Sequence, residues 1–204
     1  MTQSEQKTPK QRIALFGGAF DPFHTGHISV IRHLLANPAI DVVLVVPSGD
    51  RPDKKGVSQA HDRYEMTARG VRGDFGGDPR VEVSDLQSSN SVGYGTIDLV
   101  QHFANDPLRE VWIVIGQELL HDLPTWKEAE RLKLNARFLV LRRPGVIETS
   151  APEGWHVVFS EPFADRGVAI SSSDLREKIK RGEPVDQWVP KDVLAYATAR
   201  RLYK

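Results

Sequence analysis

Residues 13–27 read IALFGGAFDPFHTGH, and this stretch decides how the chain folds. Its first four residues form an apolar run long enough for a buried strand, which Gly17 and Gly18 interrupt. A polar loop follows, and apolar residues recur at helical spacing from Ile28 onward. The sequence therefore predicts a strand, a glycine turn, a loop and a helix, with His24 and His27 where the helix begins.

This arrangement indicates an anion site. A helix N-terminus presents unpaired N–H groups and the positive end of the helix dipole, both of which favour a group such as phosphate. Gly17 and Gly18 have no side chains, so their backbone can approach that group closely. His24 and His27 would add donors directed at the same place. The two histidines have two other interpretations. They could be a turn residue and a helix cap, or they could bind a metal, although no third ligand lies nearby.

The rest of the chain alternates strand and helix patterns. Apolar runs predict strands at 41–46, 80–86, 111–115, 138–141 and 155–159. Helical spacing or capping signals occur at 61–71, 96–103, 119–134, 170–181 and 190–201, with a proline interrupting the third segment. This order predicts the α/β class, with a doubly wound, mostly parallel sheet and helices on both faces. Ligands of such sheets bind beyond the carboxyl ends of the strands.

Composition narrows the possible functions. The 204 residues carry 27 basic and 27 acidic side chains, which gives no electrostatic footprint for nucleic acid or a membrane surface. Cysteine is absent, which excludes disulfides and thiolate chemistry. There is no transmembrane run or signal peptide, so the cytoplasm is the expected location. We expect a flexible tail at residues 1–12, one domain at residues 13–204, and small-molecule substrates.

A resemblance follows from two motifs. Residues Gly17 to His27 resemble the Gly-Gly-x-Phe-Asp-Pro-x-His-x-Gly-His motif of the bacterial nicotinate-mononucleotide adenylyltransferases, which belong to the nucleotidyltransferase superfamily. Residues Ile170 to Arg176 are similar to the second motif of that superfamily, Ile-Ser-Ser-Thr/Ser-x-x-Arg. The resemblance implies a Rossmann-like nucleotidyltransferase fold. It also implies transfer of the adenylyl group of ATP, accompanied by Mg²⁺, to a pyridine mononucleotide with release of pyrophosphate.

The resemblance assigns the ATP side of the site. His24 and His27 would donate to the ATP phosphates, and Arg176 would hold the β and γ phosphates, which makes these three the predicted catalytic residues. Glu118 would receive the ribose where the family has Asp; the alternative is a solvated carboxylate. A capped helix with a solvated arginine is the alternative for the second motif. The other predicted ATP contacts are Gly17, Gly18, Ala19, Phe20, Gly116, Ile170, Ser171 and Ser172.

The acceptor side departs from the family pattern. The predicted mononucleotide contacts are Asp21, Lys54, Thr96, Trp126 and Arg143. Lys54 would meet the acceptor phosphate, and Trp126 would stack on the pyridine ring. A solvated lysine and a core tryptophan are the alternatives. Asp53 replaces a family histidine, and Gly95 interrupts a Ser-Tyr-Thr segment that reads the nicotinate carboxylate, so the choice between acid and amide stays open.

Other functions remain alternatives to this one. Within the class, the acceptor could be nicotinamide mononucleotide, phosphopantetheine, or an alcohol phosphate with CTP as donor. A nucleotide-binding regulator on the same fold is a non-enzymatic alternative, although both histidines and Arg176 are present. A dinucleotide-binding dehydrogenase would need Gly-x-Gly-x-x-Gly after the first strand, which the sequence lacks. The apolar C-terminal segment could close the core or support a homo-oligomer.

Overall fold

The computed structural model describes residues 10–50, 56–104, 106–142, 150–162 and 170–204. The strands are β1 (Gln11–Gly18), β2 (Val42–Pro47), β3 (Val81–Val83), β4 (Arg109–Gly116), β5 (Arg137–Leu141) and β6 (Val157–Phe159). The helices are α1 (Thr25–Leu35), α2 (Ala60–Phe75), α3 (Thr96–Ala104), α4 (Ala129–Asn135), α5 (Ser172–Lys180) and α6 (Lys191–Ala199), with a 3₁₀ helix at Gln117–Thr125.

The strands form one sheet in the order β3-β2-β1-β4-β5-β6, and each pairing between them is parallel. Helices cover both faces, as the alternation along β1 shows. Ile13 and Leu15 pack with α3, the 3₁₀ helix and α4, whereas Ala14 packs with α1. Every residue of β2 is buried, as expected for an apolar strand in a parallel sheet with helices on both faces. The predicted α/β class and doubly wound sheet are confirmed.

Some predicted boundaries were wrong. β1 begins at Gln11 rather than Ile13, because the Gln11 N–H donates to the Leu108 carbonyl (2.7 Å) and the Arg12 N–H donates to Asp41 (2.7 Å). The proline interruption predicted within the helical segment at 119–134 is confirmed, because the segment divides into the 3₁₀ helix and α4. Pro124 lies inside the 3₁₀ helix, and Glu128 takes a left-handed conformation (φ 55°) before α4.

The last two helices pack on α2 rather than directly on the sheet. Their shared cluster consists of Met66, Leu175, Val185, Val189, Val193 and Ala197. The segment between these helices also contacts the start of α1, where the Thr25 N–H donates to the Trp188 carbonyl (2.8 Å). This packing brings the C-terminal part of the chain beside the first motif. None of the helices in the described ranges is long and apolar enough to cross a membrane.

Candidate active site

The two motifs meet at the carboxyl edge of the sheet, where the strand order reverses between β1 and β4. The Ser172 hydroxyl donates to the Pro22 carbonyl at 3.2 Å, across 150 residues of sequence. Arg176 Nη1 donates to the Asp21 carbonyl at 2.9 Å. These two hydrogen bonds place the start of α5 against the loop that precedes α1. Reversal points of this kind are where doubly wound sheets bind ligands.

His24 and His27 both accept backbone hydrogen bonds through Nδ1. His24 is the N-cap of α1 and accepts from the Gly26 N–H (3.1 Å), while His27 accepts from the His24 N–H (3.1 Å). A backbone N–H can only donate, so each neutral ring carries its proton on Nε2. The two ring centroids lie 3.8 Å apart. The pair therefore presents two Nε2–H donors fixed by the first turn of the helix.

Burial keeps these imidazoles neutral. It lowers the pKa of His24 to about 4. It also lowers the pKa of His27 well below the ordinary histidine value, and the neighbouring His24 adds a smaller effect in the same direction. A bound triphosphate would raise both pKa values again, because a nearby anion favours the protonated ring. In the free protein at neutral pH the pair acts through hydrogen bonding rather than through charge.

An aromatic cluster holds His27 in place. Its ring lies 4.9 Å from Phe20 in an edge-on arrangement and stacks on Phe23 at 5.3 Å. Phe20 adopts a left-handed backbone conformation (φ 52°), which turns its ring back toward Gly18. A Cβ atom on Gly18 would lie 2.8 Å from that ring, so the glycine is required for this turn. Phe20 is buried, so its side chain lies behind the surface that would contact ATP.

The serines of the second motif fix the start of α5. The Ser171 hydroxyl accepts from the Asp174 N–H (3.1 Å) and donates to the Asp174 carboxylate (2.7 Å), which accepts in turn from the Ser171 N–H. This capping box, with the side-chain hydrogen bond from Ser171 as the largest contribution, lowers the pKa of Asp174. The predicted cap is confirmed. In this conformation both serine hydroxyl protons are engaged within the protein, and Ile170 packs beside the α2–α5–α6 cluster.

Arg176 extends from α5 toward the first motif. Besides its bond to the Asp21 carbonyl, its Nη2 donates to the Ser173 hydroxyl at 3.2 Å. Nη1 also lies 4.0 Å from the Asp21 carboxylate, and 20% of the side chain is exposed. The guanidinium is therefore anchored on one side and has exposed surface for an anion.

Asp21 is buried beneath this arginine. Its side chain is 0% exposed, and it accepts from the Ser58 N–H (2.9 Å) and from the Tyr203 hydroxyl. The predicted contact between this carboxylate and the mononucleotide does not fit that position, because the side chain has no exposed surface. The partners of Asp21 lie 37 and 182 residues away, so no local pattern could have identified them.

A second buried network holds the loop that follows β2. Arg63, on α2, is 2% exposed and donates to Ser48 Oγ (2.9 Å), the Gly49 carbonyl (3.1 Å), Asp50 Oδ1 (3.1 Å) and the Ser58 carbonyl (3.0 Å). The loop is therefore fixed at both ends. Sequence reasoning missed Arg63 because an arginine within a helical pattern is usually solvated.

The remaining predicted residues lie around this centre. Glu118 is exposed and folds back over Gly116, where a Cβ atom would lie 2.5 Å from its carboxyl carbon. Trp126 is half-buried and meets Phe138 edge-on at 6.2 Å, so part of its ring belongs to the core. Thr96 begins α3, and the preceding Gly95 N–H donates to Asp98 at 2.8 Å. Lys54 and Arg143 lie outside the described residues.

Comparison with known proteins identifies the class. The model of the cytidylyltransferase-like family matches residues 15–178, so the chain belongs to that family of nucleotidyltransferases. The solved nicotinic acid mononucleotide adenylyltransferase of Plasmodium falciparum, complexed with NaAD, superposes with a TM-score of 0.79 at 22% identity. The comparison covers 95% of this chain and 97% of that one, and it establishes the fold.

Sequence relatives narrow the class to a family. A probable nicotinate-nucleotide adenylyltransferase of Thermus thermophilus is 36% identical over 194 residues, covering 95% of this chain and all of the relative. A protein of the same name from Shouchella clausii is 33% identical, with 95% and 97% covered. The chain belongs to the nicotinate-nucleotide adenylyltransferases. The predicted resemblance is thereby confirmed.

Enzymes of this class that use ATP generally need a divalent metal. Within the described ranges no group of three or more His, Asp or Glu side chains is placed to hold a metal ion. The donors at the centre are two neutral imidazoles and a guanidinium, and the latter cannot ligate a cation. This donor set fits an ion that is carried by the nucleotide phosphates and water rather than by the protein.

Proposed function

We propose that the protein transfers the adenylyl group of ATP to nicotinate mononucleotide, forming deamido-NAD and pyrophosphate in NAD biosynthesis. The observation that carries this proposal is the meeting of His24, His27 and Arg176 at the reversal point of the sheet, with 2.9 Å and 3.2 Å hydrogen bonds holding the two motifs together. The names of its relatives support the choice of substrate. Cytoplasmic location and a possible homo-oligomer stay part of the proposal.

The chemistry requires no general base. An oxygen of the mononucleotide phosphate, already an anion, attacks the α-phosphorus, and the bond to the bridging oxygen of pyrophosphate breaks. The barrier arises from repulsion between anions and from charge that accumulates on the leaving group, so positioning and electrostatic stabilisation supply the rate. Neutral histidines whose Nδ1 atoms already accept backbone bonds suit this role, because each can only donate from Nε2.

The residues divide this work by position. His24 and His27 donate to the α- and β-phosphates, and Arg176 neutralises the leaving pyrophosphate. The backbone of Gly17 to Phe20 and the N-terminus of α5 add N–H groups to the same anion. Ser171, Ser172 and Ile170 hold that terminus in position. Gly116 and Glu118 receive the adenosine, and Mg²⁺ arrives with ATP as part of the substrate.

The acceptor site extends from the loop after β2 to the start of α3. Lys54 would bind its phosphate, Arg143 would be a further contact to the mononucleotide, and the exposed part of Trp126 would cover the pyridine ring. Lys127 lies near the ring-binding end, 3.2 Å from Asp98 and 5.8 Å from the Tyr94 ring centroid. This cation and the N-terminus of α3 favour an acid substituent. Asp98 disfavours the acid by its charge, so nicotinamide mononucleotide is the second candidate.

One assay tests the proposal. The protein is incubated with ATP, Mg²⁺ and either nicotinate or nicotinamide mononucleotide, and both pyrophosphate and the dinucleotide are measured. We expect the acid to react with the higher kcat/KM, and His24→Ala to lower the rate about a hundredfold or more. Preference for the amide would overturn the substrate and leave the transfer chemistry standing. Failure of both acceptors to release pyrophosphate would overturn the proposed function.

A further inference from the structure

Tyr203, the penultimate residue, lies far from the phosphate donors in sequence but is joined to them through Asp21. Its hydroxyl donates to Asp21 Oδ1, and Asp21 Oδ2 accepts from the Ser58 N–H at 2.9 Å. The carbonyl of the same aspartate accepts from Arg176. One buried residue therefore contacts the C-terminus, the end of the loop after β2, and the arginine that faces the phosphates.

The backbone around Tyr203 is built to hold this contact. After α6 the Leu202 N–H donates to the Ala197 carbonyl (2.9 Å) and the Arg201 N–H donates to the Thr198 carbonyl (3.0 Å), the two bonds of a Schellman motif. Arg201 (φ 54°) and Tyr203 (φ 65°) both adopt the left-handed conformation. Side chains with a Cβ atom adopt it at a cost, so the surrounding contacts must stabilise it.

The charge on Asp21 explains why the hydroxyl matters. A fully buried carboxylate needs hydrogen bonds to both oxygens, and removing one donor leaves a buried negative charge that is only partly satisfied. Within the described residues, the cation that pairs with this carboxylate is Arg176, whose Nη1 lies 4.0 Å from Oδ2. Without the tyrosine hydroxyl, the carboxylate would attract that guanidinium into a direct ion pair and away from the phosphates. Burial and the charge of Asp21 raise the pKa of Tyr203, so the hydroxyl stays a donor across the working pH range.

We propose that Tyr203 is a positioning residue, which holds the Asp21 carboxylate so that Arg176 stays directed at the pyrophosphate end of ATP and the Ser58 end of the acceptor loop stays in place. This role rests on the proposed adenylyl transfer. Tyr203 touches no substrate, and its hydroxyl acts on Arg176 through Asp21. Removing the hydroxyl deletes a hydrogen bond to a charged group, and a loss of this kind corresponds to about a tenfold change in a binding constant.

The test compares Tyr203→Phe with Tyr196→Phe. Tyr196 makes the equivalent contact at 2.8 Å to another buried carboxylate, Asp62, whose other partner is Arg200. Both substitutions remove one hydroxyl from a hydrogen bond between the C-terminal segment and a carboxylate elsewhere in the fold. Only the Tyr203 bond leads to Arg176. The control should therefore show a similar loss of stability with unchanged kinetics.

Two readouts distinguish the outcomes. Tyr203→Phe should raise the KM for ATP and the Kd for inorganic pyrophosphate about tenfold, and in an Arg176→Lys background it should have little further effect. Asp21→Asn, which retains the carbonyl contact but removes the charge that would attract Arg176, should restore pyrophosphate binding when it is combined with Tyr203→Phe, and this double variant covers the case in which Tyr203→Phe alone fails to fold. The proposed role would be overturned if Tyr203→Phe bound pyrophosphate as tightly as Tyr196→Phe does, or if its effect added fully to that of Arg176→Lys. Because calorimetry of pyrophosphate needs no turnover, it decides this inference even if the proposed reaction fails.

Discussion

Replacing Gly70 by alanine is expected to weaken both the fold and catalysis, although alanine is the better helix former. Gly70 lies in the middle of α2, and a Cβ atom built there would lie 2.8 Å from Phe23 Cε1 and closer still to Cδ1. Phe23 is 0% exposed and stacks on His27 with ring centroids 5.3 Å apart. The added methyl group must therefore displace the ring that supports His27, one of the two proposed phosphate donors.

The size of the effect follows from comparison with Gly73. That glycine lies one turn further along the same helix, is exposed, and has nothing within 4 Å of a built Cβ atom. Both substitutions gain about 1 kcal/mol of helix propensity. Only Gly70→Ala suffers from overpacking, which costs about 1–3 kcal/mol, so the two variants should differ by that amount. For a chain of this size the difference corresponds to about 2–12 °C in Tm.

Thermal unfolding and steady-state kinetics measured on both variants give the answer. Ordinary contact begins near 3.4 Å, so Phe23 must move by more than the 0.6 Å that its Cε1 atom requires, because Cδ1 is closer still. If the displacement is passed on to His27, a proposed phosphate donor, it should lower kcat about tenfold. Gly73→Ala should be more stable than the parent protein with full activity. Equal stability and activity of the two variants would refute the reasoning, and a less stable but fully active Gly70→Ala would separate Phe23 from catalysis.

Three further outcomes follow from the site. The pKa of His24 is about 4 in the folded protein and has its ordinary value in the unfolded chain, so the unfolded chain binds more protons between pH 6.5 and 4. The free energy of unfolding should therefore fall as the pH falls through that window. Denaturant titrations should show a smaller fall in His24→Asn. In steady-state kinetics, Arg63→Lys should raise the KM for the mononucleotide about tenfold and change the KM for ATP little. Arg72 is exposed on the same helix, so Arg72→Lys should change neither KM value. Ser171→Ala should cost about 1 kcal/mol by removing the cap of α5, as denaturant titration would show.

The sequence predicted those features whose causes are local. Ser171 is recognisable as a cap because its partner, Asp174, is three residues away. Gly182 is recognisable as the end of α5, and it takes the left-handed conformation (φ 68°) that favours glycine at that point. The strand at β2 followed from its apolar run. In each case the residues that determine the structure are neighbours in the chain.

Features that depend on distant contacts could not be predicted. Arg201 ends α6 as Gly182 ends α5, but no glycine marks the place, and tertiary contacts of the C-terminal segment stabilise the conformation. The role of Trp126 could not be predicted either, because its sequence context fits both a core residue and a residue that stacks on a ligand. In the structure its ring is half-buried and contacts Phe138. Asp21 was assigned from its place in the motif, whereas its burial follows from residues that only the fold brings near.

The structure also separates two ways of changing the acceptor site. A buried arginine is tolerated only when its N–H groups are hydrogen-bonded. The oxygen atoms of Ser48, Gly49 and Ser58 that accept from Arg63 must therefore stay in place, whichever mononucleotide is bound. The ends of the loop after β2 are thus fixed by the buried Arg63, and we expect them to carry no information about the pyridine substituent. We therefore expect selectivity to come from side chains between those ends and from the start of α3. Substitutions that loosen the ends should weaken binding of every acceptor alike, whereas substitutions at Asp53 or Gly95 should change the ratio of kcat/KM between acid and amide.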